Sequence, residues 1–350
     1  MRKIISLSFL GILILLLSCR SDDDQNPGTI INNGLGIIQI SGDLSDEEAI
    51  NLINTNLGDN THTLLIKNTT NLTKLDFSDI TTLVFLEIED NAKLTNVKFP
   101  QLTTVASEIT VYNNAQLETI ELDELQYTGV ITIESNPFIA AIALPKLIEA
   151  EDISLSRNLS IETIAMSQLQ SVSNGISITE MPVLNSVSFS NLKYCQGNLR
   201  IYANDVLENI ELSSLISTGI DFSYSKSEGD ISIYDNNITL LDLQNLEQTT
   251  SIVINEQSLT AINLENLKTS EKILLIAEET LIEVNLSNIE DFSRLLIFAP
   301  ANMEALMAKL VAITPPITNT TIQMSGEVSV KTKEYIDILE NGDNTVSIRD

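Results

Sequence analysis

Residues 197–215 have the sequence GNLRIYANDVLENIELSSL, and the spacing of their apolar side chains decides the fold. Leu199 and Ile201 alternate with polar residues, as in a β-strand that buries one face. The next apolar residues follow at intervals of three, two and three: Leu207, Ile210, Leu212 and Leu215. This spacing fits neither a helix nor one long strand, but it fits short strands separated by corners around a narrow apolar core.

The same unit recurs along most of the chain. Each copy is marked by two apolar residues two positions apart: Leu64/Ile66, Leu86/Ile88, Ile109/Val111, Ile131/Ile133, Ile153/Leu155, Ile176/Ile178, Leu199/Ile201, Ile231/Ile233, Ile252/Ile254, Leu274/Ile276 and Leu295/Ile297. Successive copies begin 21–23 residues apart, except for one step of 32 residues between Leu199 and Ile231. A repeat of this length predicts a solenoid in which each coil stacks on the next.

Asparagine recurs at one position of the unit, three residues before its second group of apolar side chains. The asparagines at this position are Asn91, Asn114, Asn136, Asn158 and Asn204. Asparagine tolerates the backbone of tight turns, and its amide can bond to the backbone of an adjacent coil. We therefore predict that these residues are structural and do not bind a ligand.

The pattern Gly-x-Leu-x-Ile-x-x-Asn-x-x-Leu-x-x-Ile-x-Leu-x-x-Leu of residues 197–215 resembles the receptor L-domain, a member of the leucine-rich-repeat-like β-solenoids. The likeness extends over about residues 64–297, and its weight comes from the number of copies. It implies a mainly β chain, a right-handed parallel β-solenoid of about ten to eleven coils with α/β caps at both ends. It also implies binding of proteins, peptides or glycans without catalysis, but no shared motif assigns a binding residue.

The repeat solenoid is expected to span residues 64–300, with residues 35–63 and 301–350 as caps. A solenoid exposes its core at each end unless another segment covers it. In the first cap, Ser45 or Asp46 can begin a helix. In the second, two helices and two short strands are predicted: residues 303–313, 331–339, 321–324 and 345–348.

Residues 1–18 have the layout of a secretory signal peptide, with two basic residues before an apolar stretch at 4–17. The stretch of 14 residues is shorter than the roughly 20 that a membrane-spanning helix needs. Leu16-Leu17-Ser18-Cys19 resembles a bacterial lipobox, although a residue smaller than Leu17 is commoner there. The resemblance implies cleavage before Cys19 and acylation of that cysteine. The alternative is a plain signal peptide with an incidental cysteine.

Residues 19–34, rich in Asp, Asn and Gly, are predicted to be a flexible tether. The acidic run that follows Cys19 resembles an export signal of lipoproteins from Bacteroidetes-type bacteria: Ser21, Asp22, Asp23 and Asp24. That resemblance implies a lipid anchor in the outer membrane and exposure on the cell surface. The alternative is a solvated acidic linker without a signal function.

Charge and cysteine content exclude several classes of protein. The 350 residues include 19 basic and 48 acidic ones, a net charge of −29. Such a chain repels nucleic acid and anionic head groups, so we expect no nucleic-acid partner and contact with the membrane through the lipid anchor only. The chain has two cysteines; with Cys19 acylated, Cys195 has no partner for a disulfide.

Two places are candidates for a ligand site. The step of 32 residues places about ten extra residues near 217–228, where Phe222 and Tyr224 lie among polar side chains. Tyr202 and Tyr234 occupy equivalent outward positions of consecutive coils beside this insertion and are expected to stack about 4.8 Å apart. The alternatives are a tolerated surface insertion and tyrosines that simply favour strands.

No catalytic residue, metal ligand or cofactor is predicted. His62, the only histidine, precedes the first clear coil, whereas Cys195 falls on an inward position far along the chain. The carboxylates show no repeated metal-ligand pattern and are typical of a solvated surface. A β-helix polysaccharide lyase would need acidic and basic residues on one face, but Arg157 and Arg200 fall in different columns of the repeat.

These observations favour a surface-anchored lipoprotein that acts as a non-catalytic binding or adhesion module through its solenoid face. Its ligand is expected to be a protein or glycan at the cell surface. The runner-up is a carbohydrate-capture subunit of a nutrient-uptake system, followed by a structural spacer and the lyase. A glycan-binding face should hold aromatics flanked by amides and carboxylates, whereas an adhesion face should be broader and less concave.

Overall fold

The computed structural model describes residues 33–219, 229–300, 302–313 and 316–349. It is a parallel β-solenoid with three helices in the described residues, which confirms the prediction of a mainly β parallel solenoid. No helix of this part of the chain is long and apolar enough to span a membrane. Most coils contribute one long strand to a main sheet and one short strand to the opposite side of the core.

The main sheet follows an unbroken path of fourteen parallel strands. In chain order, these are β1 (Ile37–Gly42), β2 (Thr63–Thr69), β4 (Thr82–Glu89), β6 (Thr104–Tyr112), β8 (Tyr127–Glu134), β10 (Glu149–Ser156), β12 (Ser171–Thr179), β15 (Leu199–Tyr202), β18 (Asp230–Tyr234), β20 (Ser251–Asn255), β22 (Thr269–Leu281), β24 (Asp291–Pro300), β25 (Thr321–Ser325) and β26 (Thr345–Arg349). Two short strands, β14 (Tyr194–Cys195) and β17 (Ser217–Thr218), extend the sheet beside β12.

The opposite side of the core is lined by three short parallel sheets. Their strands are β3 (Lys74–Asp76), β5 (Asn96–Lys98) and β7 (Thr119–Glu121); β9 (Ala141–Ala143), β11 (Thr163–Ala165), β13 (Ser186–Ser188) and β16 (Asn209–Glu211); β19 (Leu240–Asp242), β21 (Ala261–Asn263) and β23 (Glu283–Asn285). The apolar series that decided the fold points inward, since Leu199, Ile201, Leu207, Leu212 and Leu215 are all fully buried. The core is therefore one continuous column of stacked apolar rows.

The predicted count of ten to eleven coils is too low. The terminal segments, expected only as caps, contribute β1, β25 and β26 to the main sheet in register with the repeat. In these segments a helix stands where other coils have a short strand: α1 (Asp46–Asn56), α2 (Met303–Val311) and α3 (Val330–Glu340). The helices lengthen these coils beyond the 22-residue period, so the repeat is not visible there in the sequence.

Local chemistry explains where the first helix begins. Ser45, one of two predicted caps, accepts a hydrogen bond from the Glu48 N–H, and the Glu48 carboxylate accepts one from the Ser45 N–H at 2.8 Å. This capping box satisfies backbone donors that a helix start leaves unpaired. Ala49 and Ile53 on the same helix are buried against the core.

A ladder of buried asparagine side chains links successive coils at one corner. In most rungs the side-chain oxygen accepts from the Asn of the preceding coil, while Nδ2 donates to a carbonyl oxygen. The residue before each rung has a positive φ, from Asp90 to Asp235, which forms the tight corner. The ladder ends at Glu256, a fully buried residue whose carboxylate accepts the Asn236 backbone N–H and side-chain Nδ2. The predicted structural role of the asparagines is confirmed.

One strand has a register different from the predicted one. In β22 the inward, fully buried residues are Ile273 and Leu275, whereas Leu274 and Ile276 lie on the outer side. The run Ile273–Ala277 is apolar at every position, so alternation alone does not identify its inward face. This correction brings two large apolar side chains onto the outer face of the sheet.

Candidate binding face

The outer face of the main sheet consists of three columns of outward side chains that run across the coils. We divide it into an N-terminal half, on β2 to β12, and a C-terminal half, on β15 to β24. In the N-terminal half the first column is Thr63, Phe85, Glu108, Val130, Asp152, Gly175; the second is Leu65, Glu87, Thr110, Thr132, Ser154, Ser177; the third is Lys67, Glu89, Tyr112, Glu134, Ser156, Thr179. In the C-terminal half the first column is Asp230, Ser251, Lys272, Arg294; the second is Arg200, Ser232, Val253, Leu274, Leu296; the third is Tyr202, Tyr234, Asn255, Ile276, Phe298.

Tyr202 and Tyr234 stack on each other at the start of the C-terminal half. They are register neighbours, with ring centroids 4.6 Å apart and ring planes 9° from parallel. Burial raises the pKa of the Tyr234 hydroxyl, the neighbouring Tyr202 and Asp235 raise it further, and Arg200 opposes the shift. Because the two rings are stacked, each ring covers one face of the other, and only one face per ring remains for a ligand.

The other aromatic candidates, Phe222 and Tyr224, lie outside the described residues, as does most of the predicted insertion at 217–228. Its first residues, Ser217 and Thr218, form β17 and are buried. The lipidation candidate Cys19 and the export-signal residues Ser21, Asp22, Asp23 and Asp24 also lie outside the described residues.

Beyond the tyrosines the outer face becomes apolar. Its second and third columns continue into five partly exposed residues, which we call the apolar patch: Val253, Leu274, Ile276, Leu296 and Phe298. Parallel sheets usually have both faces covered. Within the described chain the helices pack on each other and on β1, β3 and β26, so the patch lies open. Sequence reasoning missed this patch because the register of β22 was ambiguous.

The two halves of the outer face differ in charge. The N-terminal half carries five carboxylates and one lysine: Glu87, Glu89, Glu108, Glu134, Asp152 and Lys67. The C-terminal half carries three bases and one carboxylate: Arg200, Lys272, Arg294 and Asp230. Five acids and one base give −4, and three bases and one acid give +2. In a chain of net charge −29, the C-terminal half is a local positive region.

The charged groups of the two halves also differ in their partners. Lys67 forms an ion pair with Glu87 at 3.0 Å. Glu87 also shares a hydrogen bond with Glu89, and this bond raises the pKa of Glu89 more than burial does. By contrast, no carboxylate of the described chain lies within ion-pair distance of Arg200, Lys272 or Arg294. Three cations beside an apolar patch are thus available to a partner.

The thiol of Cys195 is not accessible, in agreement with its predicted inward position. Cys195 is fully buried, and burial raises the pKa of its thiol to about 12. A thiol with this pKa carries almost no thiolate at neutral pH, and the thiolate is the nucleophile. His62 lies before β2 and contacts Thr63 through Nδ1 at 2.9 Å. No cluster of three or more potential metal ligands is present among the described residues.

Comparison with known proteins adds no family to this description. No protein-family model matches the chain, and no curated protein matches it significantly.

Proposed function

We propose that the chain is a non-catalytic binding module that holds a protein partner on the C-terminal half of its outer face. The observation that carries this proposal is the change along the sheet from a polar, acidic surface to an apolar patch with stacked tyrosines and free cations. Protein interfaces are enriched in aromatic residues and Arg and depleted of carboxylates at their centre. The composition of the C-terminal half has this character.

The same face suits a glycan less well. A sugar ring needs an open aromatic face flanked by amides and carboxylates, in a concave site. Here each tyrosine uses one face on the other ring, and the neighbouring side chains are largely aliphatic. The carbohydrate-capture alternative therefore ranks second, and the experiment below separates the two.

The proposal includes a lipid anchor at Cys19 in the outer membrane, with the solenoid outside the cell. It also includes a right-handed, L-domain-like winding, with the terminal helices shielding the ends of the core. Nearly all parallel crossovers in sheets are right-handed, which supports the winding. Ala49 and Ile53 of α1 and four residues of α2 are buried, which supports the shielding.

The binding face can be tested with one substitution. Leu274→Asp places a carboxylate in the centre of the apolar patch, and we expect it to weaken partner binding at least about tenfold. The full chain in detergent is applied to an array of purified extracellular proteins, glycans and the chain itself. Because Leu274 points outward, the melting temperature should stay close to that of the wild type.

The control is Thr163→Asp, an exposed position of β11 on the opposite side of the solenoid. It should leave every array signal unchanged. Signals on glycans alone would favour the carbohydrate-capture alternative, and equal losses in both variants would contradict a site on the outer face.

The anchor is tested separately. Cys19→Ala should abolish incorporation of radiolabelled palmitate into the chain and release it from the membrane fraction, because two or three acyl chains are needed for stable anchoring. Cys195→Ala removes the other cysteine, which is buried, and should leave labelling intact. Labelling that survives Cys19→Ala would contradict the lipoprotein assignment.

A further inference from the structure

We propose that the partner of the outer face is a second copy of this chain, bound face to face with its coils in reverse order. The inference rests on the proposed function, since it names the protein that the same face holds. It begins from the opposite charges of the two halves, −4 and +2. A face with this polarity is complementary to its own reversed copy.

Two symmetric arrangements bring two outer faces together. A twofold axis along the solenoid would place each half against itself, acids on acids and bases on bases. A twofold axis parallel to the strands reverses the order of the coils and places each half against the other. Like charges that face each other disfavour an interface, whereas opposite charges steer and align the encounter. The charge pattern therefore selects the reversed arrangement.

The sheet register then gives the contacts. With the axis between β12 and β15, at the middle of the fourteen-strand path, β22 faces β6 and β24 faces β4. Each column faces the same column of the partner, so Lys272 lies opposite Glu108 and Ile276 lies opposite Tyr112. The pair Lys272–Glu108 occurs twice in the dimer. It joins the positive end of each copy to the negative end of the other.

The next coils place Leu296 opposite Glu87 and Phe298 opposite Glu89, two carboxyl groups that already have partners within their own chain, Lys67 for Glu87 and a hydrogen bond with Glu87 for Glu89. Arg294 lies opposite Phe85, an exposed aromatic ring, with Glu87 in the adjacent column. A guanidinium over an aromatic face is attracted by the negative charge density of the ring. One coil nearer the axis than the Lys272–Glu108 pair, the amide of Asn255 lies opposite the carboxylate of Glu134 and can donate to it.

The centre of the interface holds the stacked tyrosines. Tyr202 and Tyr234 face Thr179 and Ser156, so the largest aromatic groups lie beside the axis, where binding energy is usually concentrated. One kind of like-charged pair results, Asp152 opposite Asp230, and it also occurs twice in the dimer. Each of these acids already accepts a hydrogen bond within its own chain, Asp230 from the Ser251 hydroxyl at 2.7 Å and Asp152 from the Gly175 N–H.

The available area is sufficient for a specific dimer. The ten strands from β4 to β24 and five residues across each strand cover roughly 48 Å by 16 Å, on the order of 800 Å² per copy. Stable specific interfaces bury about the same area per partner. At about 0.15 M salt, the Debye length of about 8 Å screens the overall negative charges, while pairs in contact are screened much less.

The reversed order of coils also has a consequence for attachment. It places strand β1 of the two copies at opposite ends of the dimer. We therefore expect a dimer of lipid-anchored chains to hold together two membranes, each carrying one copy. The binding module is then a homophilic adhesion protein.

The test uses the full lipidated chain in liposomes, with clustering followed by light scattering in 0.15 M NaCl. Wild-type vesicles should cluster. Glu108→Lys vesicles alone and Lys272→Glu vesicles alone should cluster at least about tenfold more slowly, because each variant faces itself with two like-charged pairs. A mixture of the two populations should cluster like the wild type, because both pairs are then again of opposite charge.

Both substitutions lie at outward positions, and an unchanged melting temperature for each variant shows that the fold is kept. Wild-type vesicles that do not cluster, variant vesicles that cluster alone, or a mixture that fails to cluster would each overturn the proposal. Such a result would not by itself contradict the proposed function, because loss of a protein signal on the array with Leu274→Asp would still show a protein partner on this face.

Discussion

Asn136→Ala should destabilise the chain by about 3–6 kcal/mol, far more than removal of an exposed asparagine. Its Nδ2 donates to the carbonyl oxygens of Val111 and Glu134 at 3.0 and 2.9 Å, and its Oδ1 accepts the Asn114 N–H at 3.1 Å. Alanine removes this partner from the buried Asn114 N–H, from one hydrogen of the Asn114 Nδ2 and from the Val111 carbonyl oxygen, whereas the Glu134 oxygen keeps the Asn113 N–H; each orphaned buried group costs about 1–3 kcal/mol. Thermal unfolding followed by circular dichroism measures the loss.

Asn191→Ala is the matched control, because Asn191 is exposed and makes one bond, from Nδ2 to the Ser167 carbonyl oxygen at 2.6 Å. We expect a loss of less than about 1 kcal/mol there. Hydrogen exchange should show the damage of Asn136→Ala in β6, β8 and β10, since neighbouring coils of a solenoid are coupled. Equal losses in both variants would mean that the ladder adds little to stability.

The middle of the solenoid was predictable because each coil must present the same inward side chains to the next. The terminal coils were not, since helices replace the short strands and lengthen the unit. From Ile40 to Ile66, Ile297 to Met324 and Met324 to Ile348 the equivalent positions are 26, 27 and 24 residues apart. A search for a 22-residue period therefore ends too early at both ends.

The candidate site was predictable only in part, because only some of its strands alternate regularly between apolar and polar residues. Tyr202 and Tyr234 are the last residues of strands that alternate strictly, so their outward stacking could be inferred from spacing. Leu274 and Ile276 could not be placed, because their strand is apolar on both sides. The charge of each half emerges only when residues far apart in sequence, such as Glu108 and Asp152, are aligned in columns by the sheet register.

Glu256→Gln should remove a loss of stability that the wild type shows as the pH rises from about 4.5 to 7. Burial raises the pKa of the Glu256 carboxyl from 4.5 to about 7, hydrogen bonds from Asn236 oppose the shift, and the charge of Asp235 adds to it. The folded state thus holds a proton that the unfolded state releases. The contribution of this group to the free energy of unfolding is fully present below pH 4.5 and is lost as the pH rises through 7.

Above pH 7 the wild type carries a buried charge, and the glutamine variant should be more stable by up to roughly 3 kcal/mol. Glutamine retains an oxygen for the Asn236 Nδ2, although a bond to the Asn236 N–H is weakened, which reduces the gain. Melting temperatures measured from pH 4 to 8 test this, with the exposed Glu118→Gln as control. If Glu256→Gln keeps the wild-type slope, another group controls the pH dependence. A shallower slope instead identifies the residue that ends the asparagine ladder as a source of that dependence, because an amide in its place cannot acquire the charge that the core disfavours.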